Sequence, residues 1–452
     1  MVPYSNDRPN VTTNTAPAIS ASPSLNEGQQ HAADEFFKFL FTADKEFDIR
    51  GAGGVGKTYL MSYLIDQIIP RYEDACKLMG IEAIFKEVSM TATTNKAADV
   101  LAKATGRPTS TIFSYARLKP IFDWETKKSK LVRNRDWKPI SNTIVFVDEC
   151  SMVDSVLYFQ IHATFDDTCK IVYVGDQNQL PPINERISPV YRQKGMKNVE
   201  LTQNERSAAQ PALLALNQQL RDTVSTGRFL PIKGVPGVID VLDGDEVEAE
   251  VQKLFAQSTF DHRILCYTNA QAIEYNEYIR ALRGLPDHIT QGEVLVVNYG
   301  VEIPKTFISP ETEVRILSIS QIDKWISPCG LVDLDLQYVD AVTSFGTVIT
   351  QMPVAVDPTD RSNMIKFLQK KGDWKSKEFL DKKVADLRQR DAGTVHKAQG
   401  STYDTVIVDL DDISKCHNRD MVARMLYVAM SRAKNRIVLH GLLPERYGGV
   451  IE

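Results

Sequence analysis

The stretch that decides the fold is Gly51-Ala52-Gly53-Gly54-Val55-Gly56-Lys57-Thr58, which satisfies the pattern G-x-x-x-x-G-K-S/T. Glycines in such a loop let successive backbone N–H groups turn toward phosphate oxygens, and the helix that follows adds its positive end. Lys57 can reach the β- and γ-phosphates of a nucleotide, and the Thr58 hydroxyl can bind Mg²⁺. The pattern therefore predicts a nucleotide site with bound Mg²⁺. The main-chain contacts are expected from Gly51, Gly53, Gly54, Val55 and Gly56.

Two further polar segments follow apolar runs, as expected for groups at the ends of buried strands. Residues 143–147 lead into Asp148 and Glu149, and residues 171–174 lead into a segment that contains Gln179. A carboxylate at a strand end beside a phosphate-binding loop holds Mg²⁺, and a neighbouring acid can orient or deprotonate the attacking water. We therefore predict that Asp148 is a metal ligand and that Glu149 is the base. Gln179 is predicted to contact the γ-phosphate; the alternative is an ordinary polar turn.

Apolar runs recur along the chain and alternate with helical patterns. They are β-branched and nearly continuous, which is typical of strands covered on both faces. The predicted strands are residues 83–88, 143–147, 171–174, 264–267, 405–410 and 436–439. A helix is predicted after the glycine-rich loop, with apolar residues at helical spacing from Leu60 to Ile69 and with Pro70 closing it. The alternation indicates an α/β fold of parallel sheets covered by helices.

Two stretches interrupt this alternation. Residues 115–141 carry Phe122, Trp124 and Trp137 among several lysines and arginines and are too short for a domain. Residues 290–389 lose the rhythm of strand and helix and end in a Lys-rich helical pattern. Both stretches are therefore expected to be inserts in the α/β framework.

Composition bounds the class of protein. The chain has 452 residues, 43% of them apolar and 25% charged, which predicts a globular protein of two or more domains. No membrane span or secretion signal is visible, so we expect a cytoplasmic protein, and the six scattered cysteines are expected to be reduced. The net charge of −5 argues against a protein that coats nucleic acid, so any such site should be a local groove. Residues 1–24 are rich in Ser, Thr, Asn and Pro and are predicted to be a disordered tail.

The order of these motifs resembles that of superfamily 1 DNA helicases, and more narrowly the Dda/RecD-like type. The specific part is Asp148-Glu149-Cys150-Ser151-Met152 followed by Gly175-Asp176-Gln177-Asn178-Gln179. Other similar segments extend the resemblance over nearly the whole chain after the tail. They are residues 25–30 (Q motif), 93–98 (motif Ia), 110–114 (the next DNA-contacting motif), 201–206 (motif IV), 394–401 (motif V) and 427–433 (motif VI).

The resemblance implies two RecA-like lobes of the P-loop NTPase type with ATP between them. The first lobe spans residues 25–180 and contains the 115–141 insert, which matches the place of the family's pin, a hairpin that splits duplex. The second lobe spans residues 181–289 and 390–452. The insert at residues 290–389 corresponds to the family's SH3-like β accessory domain.

The resemblance also implies roles for single residues. Gln29 is expected to read the adenine edge of ATP, and Gly400 is expected to lie beside the nucleotide. Arg206 and Arg432 are expected to touch the γ-phosphate, where losing a guanidinium group costs about 10³-fold or more in rate. The residues expected to hold DNA are Thr94, Asn95, Thr111 and Phe113 on the first lobe and Thr268, Asn269, His396 and Lys397 on the second. The aromatic residue of the pin that meets the last base pair is left open between Phe122 and Trp124.

The implied function is ATP-dependent movement along single-stranded DNA, in the 5′-to-3′ direction, with unwinding of forked or tailed duplexes during replication or recombination. A monomer in a phage-infected host cytoplasm fits the same resemblance, with a single-strand binding protein or replisome components as partners. Three alternatives stay open: a translocase that remodels DNA without unwinding, an RNA-directed helicase, and an ATP-gated binding module. Two arginines at the γ-phosphate argue against the binding module.

Overall fold

The structure is a computed structural model. It describes residues 25–123, 128–135, 137–183, 185–203, 210–303, 306–328, 330, 332–344 and 346–451. The predicted disordered tail, residues 1–24, lies outside the described residues, as do Trp124 and Arg206. Within the described ranges, no helix combines the length and the apolar character needed to cross a membrane.

The first lobe is a parallel sheet covered by helices. Its strands are β1 (Glu46–Gly51), β2 (Glu87–Ala92), β3 (Thr109–Thr111), β4 (Leu118–Asp123), β5 (Lys128–Arg133), β6 (Thr143–Asp148), β7 (Lys170–Gly175) and β8 (Lys197–Leu201). Its helices are α1 (Glu27–Phe39), α2 (Lys57–Tyr63), α3 (Ile69–Met79), α4 (Asn95–Thr105), α5 (Ile112–Tyr115) and α6 (Ser155–Thr164). β4 and β5 form an antiparallel hairpin, and the other six strands pair in the order β3-β2-β6-β7-β1-β8. Phe146 packs into the apolar cluster on one face of the sheet and Val147 into the cluster on the other face.

The apolar runs do not predict two strands of this sheet. In β1, charged residues alternate with Phe47 and Ile49, and buried Asp48 pairs with Arg50 at 2.5 Å. Burial raises the pKa of Asp48 to about 6 although Arg50 opposes the change. In β8 only Val199 and Leu201 are buried. Because β8 pairs with β1, the predicted boundary at residue 180 falls inside the first lobe.

Two predicted bounds are wrong in the same lobe. The second strand of the chain is residues 87–92, so the predicted strand at 83–88 is shifted toward the N-terminus. Pro70 does not close the helix after the loop, since a π turn at Leu64–Ile68 leads directly into α3. There the Ile69 N–H bonds to the Leu64 carbonyl, and a local π turn of this kind changes the backbone bonding before the proline.

The second lobe begins with a long helix and two crossover units. Its first elements are α7 (Pro211–Thr226), β9 (Ile232–Lys233), β10 (Ile239–Val241), α8 (Asp245–Phe255), β11 (His262–Cys266) and α9 (Asn269–Leu282). Pro211 stands in the first turn of α7, where its missing N–H needs no partner. Leu213, Leu216 and Leu220 line the buried side of α7.

An antiparallel β insert then interrupts the second lobe. Its elements are β12 (Val294–Val297), β13 (Val301–Ile303), β14 (Thr306–Ile308), β15 (Glu313–Ile319), β16 (Asp323–Ile326), β17 (Asp333–Thr343), β18 (Val348–Ala355), α10 (Pro358–Lys371), α11 (Trp374–Lys383) and β19 (Leu387–Gln389). The main sheet has the order β16-β17-β15-β12-β19, with β18 on β17. The insert thus holds a β sheet and a helical pair, and its SH3-like character stays a prediction.

The chain returns to the second lobe after β19. The remaining elements are β20 (Ala392–Thr394), β21 (Tyr403–Asp409), α12 (Leu410–Ser414), α13 (Arg419–Met430), β22 (Ala433–His440) and β23 (Val450–Ile451). The parallel sheet of this lobe has the order β10-β22-β21-β11-β20. The predicted strands at 264–267, 405–410 and 436–439 overlap β11, β21 and β22. The fold class of two α/β lobes with parallel sheets is therefore confirmed.

Candidate functional site

The phosphate-binding loop joins β1 to α2, and the helix that follows the loop was predicted. Gly54 and Gly56 have φ angles of 93° and 80°, in the left-handed region that favours glycine. Lys57 Nζ donates to the carbonyl oxygens of Gly51 at 2.8 Å and Ala52 at 2.9 Å. The ammonium group therefore lies over the loop whose backbone would receive phosphates.

Gln29 lies behind this loop with both ends of its amide engaged. Its Oε1 accepts from the Asn26 N–H at 3.2 Å in the capping box of α1, and its Nε2 donates to the Val55 carbonyl at 3.3 Å. A Cβ on Gly56 would stand 2.5 Å from Gln29 Nε2, so the glycine makes room for this side chain. Gln29 thus supports the loop in this conformation, and its contact with adenine stays a prediction.

The end of β6 provides the acidic part of the site. Burial, reinforced by the neighbouring Glu149 carboxylate, raises the pKa of Asp148 to about 7, while Lys57 opposes this change. Asp148 Oδ1 accepts from the Glu149 N–H at 2.8 Å, and Glu149 has a left-handed φ of 53° that turns the chain at the strand end. A cation bound nearby would stabilise the ionised form of Asp148 and so lower its pKa.

The donor set fits Mg²⁺ bound together with phosphates. The ion prefers oxygen ligands and takes one or two carboxylates, substrate phosphates and water. Asp148 and the Thr58 hydroxyl supply such oxygens beside the phosphate-binding loop. The described residues contain no cluster of three or more His, Cys, Asp or Glu able to hold a metal ion.

Gln179 lies where the two lobes meet. Its Oε1 accepts from Gln399 Nε2 of the second lobe at 3.0 Å, and the same Nε2 donates to Ser151 Oγ at 3.1 Å. Arg424 Nη1 donates to the carbonyl oxygens of Gln177 at 2.8 Å and Gln179 at 2.7 Å. The segment that was predicted to sense the γ-phosphate is therefore held by side chains of the opposite lobe.

Arg432 makes its hydrogen bonds within the second lobe. Its guanidinium group donates to the Val428 carbonyl at 3.1 Å, the Ser401 carbonyl at 3.2 Å and Ser431 Oγ at 2.8 Å. Nη1 and Nη2 each keep one further N–H, and contact of Arg432 with a γ-phosphate stays a prediction. The other predicted arginine, Arg206, lies outside the described residues.

Arg221 is a cation of the second lobe that the sequence analysis missed. It lines the cleft together with Ala52, Gly53 and Val55 of the loop. Its Nη2 donates to Glu200 Oε1 at 2.8 Å, while its buried Nε has no hydrogen-bond partner in the described part of the chain. The signal in the sequence is an arginine directly after the apolar stripe of an amphipathic helix.

The cleft between the lobes has a volume of about 1040 Å³. Its walls come from the phosphate-binding loop and α4 on one side and from α7 and the segment 400–403 on the other. Gly400 reaches across it, since a Cβ there would lie 3.9 Å from Glu149 Oε1. A nucleotide on the loop would thus have groups of both lobes beside it, and contact between Gly400 and the nucleotide stays a prediction.

Three predicted DNA contacts are N-caps of helices. Thr94, Thr111 and Thr268 accept backbone N–H bonds at the starts of α4, α5 and α9. Asn95 and Asn269 are the first residues of α4 and α9. The threonines therefore have a structural role that the sequence analysis did not assign. Each also stands at the positive end of a helix, where an anion is favoured.

The other predicted DNA contacts differ in exposure. Phe113 is half-buried against the core of the first lobe, and His396 is exposed beside the ring of Tyr267 at 6.5 Å. Lys397 Nζ forms an ion pair with Glu311 Oε1 of the β insert at 3.1 Å. A carboxylate of the insert is therefore paired with a lysine that was predicted to hold a DNA phosphate.

A buried charge cluster joins the insert to both lobes. Glu313 of the insert pairs with Lys96 of α4 at 3.1 Å and with Arg263 at 3.6 Å and Arg390 at 3.2 Å of the second lobe. Burial alone would raise the pKa of Glu313, but Arg390, Lys96 and Arg263 lower it to about 2. Its partners are far away in sequence, so no local pattern predicts this cluster.

The hairpin of β4 and β5 lies in the predicted pin insert. Trp137 stands after it, with Arg133 4.0 Å above its ring and its Nε1 donating to Thr164 Oγ1 at 3.2 Å. Trp137 is thus anchored on the first lobe. The choice between Phe122 and Trp124 stays open, since these side chains lie outside the described part of the chain.

Two domain families match separate parts of the chain. An AAA domain matches residues 40–185, and a UvrD-like helicase C-terminal domain matches residues 391–440. The chain is 25% identical to the ATP-dependent DNA helicase dda of Enterobacteria phage T4 over 57% of its own length and 56% of that protein. It therefore spans about half of that relative. It is 28% identical to the ATP-dependent RecD2 DNA helicase of Deinococcus radiodurans over 29% of this chain and 17% of that one.

A solved structure is similar over nearly the full length. The Pif1 helicase from Bacteroides, in complex with ADP-AlF3 and ssDNA, aligns with 93% of this chain and 94% of its own, at a TM-score of 0.50 and 14% identity. This likeness supports the fold of two RecA-like lobes. The two domain matches and the two relatives show that the chain is similar to helicases of the Dda and RecD-like type.

Proposed function

We propose that this chain is an ATP-driven motor that moves along single-stranded DNA and separates the strands of a duplex. The observation that carries the proposal is the amide of Gln399, which lies in motif V and bonds both Ser151 and Gln179. Gln179 is the predicted γ-phosphate contact, and Ser151 follows the predicted base Glu149 by two residues. A change at the nucleotide therefore has a direct route of hydrogen bonds to the segment that contains His396 and Lys397.

We assign the chemistry of hydrolysis to the first lobe. Lys57 would bind the β- and γ-phosphates, Thr58 and Asp148 would hold Mg²⁺, and Glu149 would orient the attacking water. The bound metal would neutralise charge that develops on the phosphates. Arg432 and Arg206 would complete the site from the second lobe. Arg432 would contact the phosphate through the N–H groups that its bonds within the second lobe leave unused.

Movement would follow from repeated closing and opening of the cleft. ATP favours the closed state if it contacts both lobes there, and hydrolysis removes that preference. The first lobe would hold the strand through Thr94, Asn95, Thr111 and Phe113. The second lobe would hold it through Thr268, Asn269, His396 and Lys397. Contacts of this kind go mainly to the backbone and are indifferent to base sequence.

The choice of DNA as substrate is supported by the relatives, since two of them are named DNA helicases and the Bacteroides protein was solved with ssDNA. We further propose 5′-to-3′ movement, as in the family that the motifs resemble. The same resemblance supports a monomer acting on forked or tailed DNA in a host cytoplasm. A single-strand binding protein or replisome components would be its partners during replication or recombination.

The decisive experiment compares unwinding of duplexes that carry either a 5′ or a 3′ single-stranded tail. We expect ATP-dependent unwinding of the 5′-tailed duplex and faster phosphate release when oligonucleotide is added. The Lys57→Ala variant is the control, and it should stay folded but lose hydrolysis. Strand-stimulated hydrolysis without unwinding would favour the translocase alternative, and stimulation by RNA alone would favour the RNA-directed alternative. Phosphate release that oligonucleotide leaves unchanged would contradict the motor.

A further inference from the structure

The helical pair of the β insert has one buried face and one exposed face. Leu368 of α10 and Leu380 of α11 are fully buried, and Phe379 stacks on Trp325 of β16 with ring centroids 4.9 Å apart. These contacts fix the pair on the sheet. The opposite side of the pair is therefore presented to solvent in a defined orientation.

This exposed side, which we call the basic aromatic face, combines lysines with two aromatic rings. It consists of Lys366, Phe367, Lys370, Lys371, Trp374 and Lys375. The Trp374 residue is 60% exposed and Phe367 is 39% exposed, and Lys371 Nζ lies 5.7 Å from the Phe367 ring. A large exposed tryptophan costs hydration free energy, so its position among cations suggests a binding partner that covers it.

In the described residues, the lysines of this face form no ion pair, whereas the other lysines of the same helices do. Lys377, Lys382 and Lys383 pair with Asp381, Glu378 and Glu302. In contrast, none of Lys366, Lys370, Lys371 and Lys375 has a carboxylate oxygen within 4.0 Å in the described ranges. The chain as a whole carries a net charge of −5. Free positive charge gathered on one face of an acidic protein attracts a polyanion.

The helical pair lies near the hairpin of the first lobe. The Lys382 ammonium, and more weakly that of Lys119 in β4, lowers the pKa of Glu378 in α11. Lys119 is therefore close enough to α11 to act on its charge. If the hairpin is the element that parts the strands, a strand leaving it would pass beside the helical pair.

We propose that the basic aromatic face binds the displaced single strand of a forked DNA. This inference rests on the proposed strand separation. The lysines would bind backbone phosphates, and the exposed rings would stack on bases, which is how proteins hold single strands without reading their sequence. Stacking requires unpaired bases, so the rings favour the displaced strand over the duplex arm. Keeping that strand on the protein would slow its return to the complementary strand.

The test uses the full chain and two 5′-tailed duplexes, one of which also carries a non-complementary 3′ tail on the displaced strand. Trp374→Ala and the double variant Lys370→Ala with Lys371→Ala are compared with the wild type. Lys324→Ala is the matched control, because Lys324 is an exposed lysine of the same insert that already pairs with Asp333. A 2-aminopurine base in the 3′ tail reports stacking directly.

We expect the wild type to unwind the fork faster than the simple tailed duplex and both face variants to lose this advantage, by about tenfold for Trp374→Ala given the strength of base stacking. The 2-aminopurine signal should change on binding to the wild type and to Lys324→Ala, but not to Trp374→Ala. Trp374→Phe should restore it. Single-strand-stimulated ATP hydrolysis should be unchanged in every variant.

Three outcomes would overturn the inference. They are a fork advantage that survives in both face variants, an equal loss of strand-stimulated hydrolysis, and a loss confined to binding of blunt duplex. The last result would make the duplex arm the partner. Absence of unwinding by the wild type on either substrate would instead contradict the proposed function, so the two failures are distinguishable.

Discussion

The two walls of the cleft differ in what their charged groups contact. On the first-lobe wall, Lys57 lies over the loop and Asp148 has a pKa raised to about 7 by burial and the Glu149 carboxylate. In the second lobe, Arg221 lines the cleft and has a buried Nε without a hydrogen-bond partner in the described residues, while the guanidinium group of Arg432 is bonded within its own lobe. The first lobe presents groups for phosphates and metal, whereas the second lobe presents arginines that also hold other residues of the protein.

This difference suggests how binding could be linked to motion. Groups that are already arranged bind a ligand without reorganisation, whereas groups that link the two lobes report whether the ligand is present. Gln399 and Arg424 reach from the second lobe to the segment 177–179 of the first. We therefore expect variants of the two walls to fail in different ways.

The largest effect is expected for Arg432→Ala. Strand-stimulated ATP hydrolysis should fall by about 10³-fold, since a cation supplied across the cleft stabilises the transferring phosphoryl group. Phosphate release at saturating ATP and oligonucleotide measures it, and nucleotide binding should change little. Arg221→Ala is the comparison. If Arg221→Ala loses hydrolysis while Arg432→Ala retains it, the second-lobe cation is Arg221 and the motif VI assignment is wrong.

The next effect concerns stability. Glu313→Gln should lower the free energy of unfolding by about 3–5 kcal/mol, because it leaves Arg263 and Arg390 buried without their carboxylate. Denaturant unfolding measures it. Glu302→Gln is the control, since Glu302 pairs with Lys383 at the exposed surface and such pairs contribute about 1 kcal/mol or less. Equal losses in the two variants would show that the cluster does not join the three units.

The lowered pKa of Glu313 adds a pH dependence to the same prediction. Its pKa falls from 4.5 to about 2 on folding, so its contribution is fully present above about pH 4.5 and is lost as the pH falls toward 2. The difference in stability between wild type and Glu313→Gln should therefore shrink in acid.

A smaller effect is expected for Gln399→Ala. Oligonucleotide should stimulate hydrolysis up to about 30-fold less, since two hydrogen bonds of about 1 kcal/mol each are lost between motif V and the first lobe. Hydrolysis without oligonucleotide should stay near the wild-type rate. Gln252→Ala, an exposed glutamine on α8, serves as the control. An unchanged stimulation factor would mean that the strand signals through another route.

The smallest effect is expected for Glu311→Gln. Freeing Lys397 from this partly exposed pair should tighten binding of a single-stranded oligonucleotide by about two- to fivefold. Fluorescence anisotropy at low salt measures it, and the gain should fade as salt is added. Lys397→Ala should weaken binding. Tighter binding by Lys397→Ala would remove that lysine from the proposed DNA path.

Local sequence patterns were sufficient for the parts of the molecule that depend on neighbours in the chain. The phosphate-binding loop could be predicted because its glycines are suited to the left-handed backbone region. The strands β6 and β7 could be predicted from their unbroken apolar runs. β1 was not predicted because its charged residues alternate with Phe47 and Ile49. The buried Asp48 forms an ion pair with Arg50. The helix after the loop continues beyond Pro70 through a π turn, which no residue pattern predicted.

The sequence by itself determined the α/β class, the phosphate-binding loop with the helix that follows it, and the position of Asp148 at a strand end. Only the tertiary structure decided that β8 belongs to the first sheet, that Gln399 reaches Ser151 and Gln179, and that Glu313 neutralises cations of both lobes. The physical reason is the distance along the chain over which each interaction acts. Glycine conformations and apolar periodicity act within a few residues, whereas buried ion pairs and hydrogen bonds between lobes depend on groups brought together only by the packed chain.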